Sequence, residues 1–347
     1  MTEEPATFSI KDAARYAMIG AFILAVLLGG YVWKGQTLPA QPAGPPAPMT
    51  IAANIRYTGT GLVFIAQGKG YFANEGLNVT LQPYTTGKDA LDAALEGRAE
   101  LATVADIPLM FAVMKGRPVS IVATISTVEK DPGVIGRKDK GIVTPVHLSG
   151  KRIGVTLGTS GHFMLDALLL RHKLSTDDVT LHDLQPQELA EALLQGDVDA
   201  VATWEPYLGA LRTQLGANGI IFDGVEIYEL PFNIAGTRDY VISHPEMIKK
   251  LVRALVRAER LCRDEPDAAR QIIASAINVS LEKLQELWLS YRFNVTLDQS
   301  LLLILEDETR WAIKNELTER TDIPNYLDHI YLDALEAVTP AAVTVIH

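Results

Sequence analysis

The chain of 347 residues carries 31 Lys+Arg against 42 Asp+Glu, a formal net charge of −11, with 48% hydrophobic and 21% charged residues. Its 26 glycines and 18 prolines are near average usage, which excludes a disordered, collagenous or coiled-coil protein. Acidity argues against a nucleic-acid partner, whose phosphates call for clustered Lys and Arg. The lone Cys262 leaves no internal disulfide and no cysteine-based zinc or iron–sulfur centre.

In chain order, residues 1–15 form a short segment with Lys11 and Arg15, on the cytoplasmic side of an apolar run. That run, Tyr16–Trp33, carries no charge and is long enough as a helix to cross about 30 Å of hydrocarbon, with Tyr16, Tyr31 and Trp33 at its ends. Two readings stand: a retained transmembrane anchor, or a cleaved export signal. Either exports the rest. Residues 34–50 read as a Pro/Ala-rich linker, with five prolines between Pro39 and Pro48.

The body reads as a unit used twice. Asn54–Tyr57 leads into Thr58-Gly59-Thr60-Gly61, an apolar helical run, and Val79-Thr80-Leu81. About a hundred positions on, Arg152–Thr156 leads into Gly158-Thr159-Ser160-Gly161, another helical run, and Val179-Thr180-Leu181. A helix stopped by Gly97 precedes Leu101–Val104 and Asp106; a helix stopped by Gly196 precedes Ala200–Thr203 and Glu205. Strands alternating with helices imply parallel βαβ units. Further on, Ser243-His244-Pro245-Glu246 and Thr296-Leu297-Asp298-Gln299 read as capping boxes opening two long helices, the first through Leu261, the second toward Lys314.

In parallel α/β sheets the ligand meets loops at the carboxyl ends of strands. Both copies place small hydroxyl residues there, where helix N-termini suit an oxyanion. Neither glycine loop has Walker A or dinucleotide spacing, so no cofactor is expected. Asp106 and Glu205, in equivalent places, can face one cleft and meet an ammonium group or act as acid and base; as loop acids or helix caps they would do neither. Trp204 and Tyr57 can supply flat walls or belong to the core. The dispersed histidines offer no metal-binding spacing, and no nucleophile elbow is present.

Several words resemble one family. Gly70-Tyr71-Phe72 with Glu75-Gly76-Leu77-Asn78-Val79, then Leu148–Val155, then Gly158-Thr159-Ser160, then Trp204-Glu205-Pro206-Tyr207 are similar, in order, to signatures of nitrate/sulfonate/taurine-type substrate-binding proteins of ABC importers. The likeness runs from about Ile51 to about Ala334. It implies a bilobal periplasmic-binding-protein fold of type II: two α/β lobes, a cleft and two crossovers. Lobe I would be 51–138 and 235–347, lobe II 139–234, with crossovers near Val134–Lys138 and Pro231–Ala235.

Carried over by position, the ligand-binding residues would be Tyr57, Thr58, Gly59, Thr60, Thr85, Thr86, Asp106, Ser126, Thr127, Gly158, Thr159, Ser160, His162, Trp204 and Glu205. The resemblance implies a non-enzymatic solute binder, with no catalytic residue and no metal, that captures a small organic anion or zwitterion between its lobes and presents it to a membrane permease. Asp106 or Glu205 would meet an amine. The alternatives are a pyrimidine-precursor synthase on the same fold and a membrane-tethered ligand sensor.

Overall fold

The structure, a computed structural model, describes residues 45–225 and 227–347. The expected span 16–33 and most of the linker lie outside the described residues. Among those described, no helix is long and apolar enough to cross a membrane.

Eleven strands occur among these residues. The first sheet holds β1 (Ala47–Asn54), β2 (Leu77–Tyr84), β3 (Leu101–Ala105), β4 (Val119–Val128), β10 (Leu230–Thr237) and β11 (Tyr291–Arg292). The second holds β5 (Gly133–Arg137), β6 (Arg152–Val155), β7 (Thr180–Asp183), β8 (Ala200–Thr203) and β9 (Gly219–Asp223). The orders are β11-β4-β10-β3-β1-β2 and β7-β6-β8-β5-β9. Removing β11 leaves one shared pattern, in which a strand from far along the chain is inserted between the third and fourth. β1, β2 and β3 are parallel, as are β6, β7 and β8. The inserted strands, β10 and β5, run antiparallel to both neighbours. The repeat read from the sequence is thus a repeat of topology.

Helices fill the connections: α1 (Gly61–Gly68), α2 (Tyr71–Asn74), α3 (Gly87–Leu95) and α4 (Asp106–Met114) around the first sheet, then α5 (Ser160–Arg171), α6 (Leu189–Gln195) and α7 (Tyr207–Leu215) around the second. After β10 come α8 (Arg238–Ser243), α9 (Pro245–Asp264), α10 (Pro266–Ile277), α11 (Leu281–Trp288), α12 (Gln299–Lys314) and α13 (Asp333–Val338). β3 and β8 are apolar on both faces and buried, as strands covered by helices on both sides must be. α9 buries Ile248, Leu251, Leu255, Ala258 and Leu261, one stripe at helical spacing. Gly97 and Gly196 follow α3 and α6 with φ of +76° and +85°, the left-handed position predicted for both stops.

Four expectations need correction. The linker ends earlier than residue 50, because Ala47–Thr50 already pair with Leu77–Thr80. The residues taken for crossovers, Val134–Lys138 and Pro231–Ala235, fall largely within strands; the chain passes between sheets at 129–132 and 224–229. Ser243 ends α8 and donates to the Asp239 carbonyl at 2.5 Å, so His244 precedes α9 instead. Thr296 exchanges backbone hydrogen bonds with Thr124, and the helix starts after Asp298, whose Oδ1 accepts from the Thr344 hydroxyl at 2.9 Å. Capping words locate a helix better than its first residue.

Inserting β10 leaves little room. A Cβ at Gly236 would stand 2.6 Å from the Glu100 carbonyl oxygen, a backbone atom of the neighbouring chain segment. Gly236→Ala should therefore lower stability by about 1–3 kcal/mol, read as a shifted urea midpoint. An unchanged midpoint would show that the β3–β10 pair yields freely.

Candidate functional site

A crevice lies between the two sheets, lined from both. From the first come Asn54, Tyr57, Thr86, Gly87, Lys88, Ala105 and Pro108; from the second, Thr159, Ser160 and Trp204; from the inserted strand, Leu230 and Phe232. Each polar group is placed by a strand-to-helix turn. Thr86 caps α3, its Oγ1 accepting from the Asp89 amide at 3.0 Å. Thr159 caps α5 and turns its hydroxyl back to donate to the Thr156 carbonyl at 2.6 Å. The first amides of a helix have no intrahelical acceptor, so two helix N-termini and Lys88 give the crevice a positive lining. Among the described residues, no carboxylate lines it. Tyr57, Trp204, Leu230 and Phe232 form apolar walls, with the Tyr57 and Phe232 rings 4.8 Å apart.

Five of the expected residues meet here: Tyr57, Thr86, Thr159, Ser160 and Trp204. Thr58, Gly59 and Thr60 form a buried 3₁₀ turn behind the wall. It is held by Thr60 Oγ1 donating to the Asn54 carbonyl at 2.9 Å and Ser126 Oγ donating to the Gly59 carbonyl at 3.0 Å. Ser126 therefore supports the turn and does not face the crevice. Thr85 is exposed and outside the lining, and Thr127 Oγ1 is buried on β4 without a hydrogen-bond partner. Gly158 and His162 line a neighbouring chamber.

The two carboxylates assigned to an amine are turned away. Asp106 is fully buried, and its Oδ1 accepts from the Tyr228 hydroxyl at 2.5 Å, the Ile107 amide at 2.8 Å and Ser160 Oγ at 3.4 Å. Burial pushes its pKa up to about 6, and burial together with Asp106 pushes Glu308 of α12 well above the carboxylate range. Glu205 Oε2 accepts from the Gly209 amide at 3.1 Å, and Oε1 lies 3.6 Å from Lys283 Nζ.

Each connection between the sheets carries one buried polar anchor. Asp131 in the first accepts from the Glu205 amide at 3.0 Å and the Tyr291 hydroxyl at 3.1 Å; burial and the Glu205 charge lift its pKa to about 8. Tyr228 in the second holds Asp106. Across the sheets Trp311 Nε1 donates to Asp166 Oδ2 at 2.8 Å.

Because Glu205 is committed to Gly209 and Lys283, Glu205→Gln should cost about 1–3 kcal/mol of stability and leave relative affinities for amine-bearing and amine-free ligands equal to those of the native chain. Thermal melts and a paired titration check this; a selective loss of the amine ligand would return Glu205 to the site.

Sequence reasoning missed Asn54, Lys88, Pro108, Leu230 and Phe232. Lys88 had a signal, a lysine next to the glycine that opens α3. Leu230 and Phe232 had none, since β10 reaches the crevice only through its insertion between β3 and β4.

Two mixed sheets with one strand order, joined twice, with strand-to-helix turns converging on a crevice, define a periplasmic-binding-protein fold. The model of the family described as NMT1/THI5 like matches residues 58–269, more than half the chain, and this protein belongs to that family. It is 25% identical over 254 residues to a binding protein of Brucella abortus, covering 72% of this chain and 77% of that one. It is 24% identical over 208 residues to the taurine-binding periplasmic protein of Escherichia coli, covering 58% and 63%. Among solved structures, the alkanesulfonate-binding protein SsuA of Xanthomonas axonopodis pv. citri, bound to MOPS, superposes with a TM-score of 0.71 at 19% identity. That match covers 83% of this chain and 99% of SsuA and shows the fold.

Proposed function

We propose that this protein is the solute-binding component of an ABC importer, working on the periplasmic face of the inner membrane and capturing a small organic anion in the crevice between its sheets. The observation that carries the reading is the lining itself: two helix N-termini and Lys88, with no carboxylate among the described residues, in a chain of net charge −11. Amide dipoles and a lysine compensate a sulfonate or carboxylate head as it leaves water. Tyr57, Trp204, Leu230 and Phe232 take up its carbon skeleton. The relatives named for taurine and alkanesulfonate support an acid of this kind. An amine-bearing zwitterion fits less well, because Asp106 and Glu205 are engaged elsewhere.

The reading is of capture and release without turnover. The hydroxyls of Thr86, Thr159 and Ser160 are engaged within the fold: Thr86 Oγ1 donates to Asp89 Oδ2 at 2.7 Å, Thr159 Oγ1 to the Thr156 carbonyl at 2.6 Å and Ser160 Oγ to Asp106 Oδ1 at 3.4 Å. The apolar run 16–33 tethers the protein beside its permease and raises its local concentration there. Calorimetric titration of the full chain with ethanesulfonate, propionate, nitrate and taurine tests the proposal. Saturable binding of an anion with an unaltered protein mass supports it, and failure of all four removes it.

A further inference from the structure

Lys88 and Pro108 of the crevice also line a second, open-sided chamber, with Phe111 and Leu157 among its apolar walls. Its charged lining is Lys88, Lys115 and Arg117 against the single carboxylate of Asp92. Asp92 is committed: Arg117 pairs with it, and Lys88 Nζ lies 3.9 Å away. The Lys115 ammonium has no ion-pair partner among the described residues. A positive chamber with exposed apolar rim residues, Leu157 at 38% and Leu317 at 36%, is unusual on a chain this acidic.

We propose that crevice and chamber together take one elongated dianion. Its first acid group lies between the N-termini of α3 and α5, its apolar spacer crosses Pro108, Phe111 and Leu157, and its second acid group meets Lys115. This rests on the binding reading above and adds the class of ligand. A chamber made only for a hydrocarbon tail needs no cation at its far side. One made only for a small acid would need no second cationic chamber sharing its wall.

The probes are butane-, hexane- and octanesulfonate and their ω-carboxy counterparts, titrated into the full chain with ethanesulfonate as the short reference. For at least one length the ω-carboxy ligand should bind about tenfold tighter than its methyl-ended partner, the worth of one well-placed charge pair. Lys115→Gln should erase that advantage and leave ethanesulfonate affinity unchanged; Lys115 is exposed, so the fold keeps its core. Equal binding of both members at every length, or an advantage that survives Lys115→Gln, would overturn the dianion while ethanesulfonate binding upheld the reading beneath it. Binding of none of the sulfonates would overturn both.

Discussion

Replacing Glu308 with alanine should cost about 3 kcal/mol of stability, whereas Glu308→Gln should match the native chain near pH 5 and exceed it near pH 8. Glu308 sits fully buried on α12, with Oε1 3.4 Å from the hydroxyl of Tyr228, which itself donates to Asp106. Alanine removes the acceptor beside the Tyr228 hydroxyl and opens a cavity next to the Tyr228–Asp106 hydrogen bond. Glutamine keeps a donor and removes the proton that must be retained. Burial raises the folded pKa values of this group: Asp106 and Asp166 to about 6, Asp131 to about 8, and Glu308 upward. A carboxyl raised in the folded state contributes stability that is full below its unfolded value, about 4, and is lost as pH rises through its folded value. Native stability should therefore fall between about pH 4 and pH 8, by up to about 1.4 kcal/mol per pH unit for each proton retained only on folding. Urea denaturation at intervals across that range measures the slope. A flat or rising profile, or a Glu308→Gln chain that loses stability near pH 8, would show that these carboxyls ionise freely inside the fold.

Gly87→Val should weaken binding of hexanesulfonate about a hundredfold while leaving the protein folded. Gly87 is the first residue of α3, pressed onto β3; a Cβ there would come within 3.1 Å of Val104 Cα and 3.4 Å of the Ala105 amide nitrogen. Backbone cannot step aside as a side chain does, so the turn itself must lift. Lifting it would move the α3 amides and Lys88 away from the place proposed for the anionic head. Calorimetry on the variant, with circular dichroism as the fold control, reads the effect. Native-like affinity would mean that the α3 terminus does not hold the anion, leaving that task to α5.

Much of this architecture is legible one segment at a time. The loop words Thr58–Gly61 and Gly158–Gly161 mark where a strand gives way to a helix, and Gly97 and Gly196 mark where helices stop. Such signals are local: a left-handed φ or an alternation of apolar residues depends on a few neighbours. That is why the repeat is readable in the sequence, and why Tyr57, Thr86, Thr159, Ser160 and Trp204, named from the sequence, are found in the lining of the crevice. The resemblance to a binding-protein family depends on the same local words.

What the sequence by itself determined is therefore the repeated unit and the turns that open onto the crevice. Only the tertiary structure decided which sheet claims β5 and β10, because strand pairing at long range leaves no trace in either strand alone. It also decided what Asp106 and Glu205 do. Their equivalent positions suggested a pair facing one cleft, yet Tyr228, 122 positions from Asp106, and Lys283 on α11 claim them. A buried carboxylate must be paired or protonated, and the partners that satisfy it come from wherever the chain returns. The acidity of a side chain is written in its sequence; whether that acid faces a ligand depends on what folds against it.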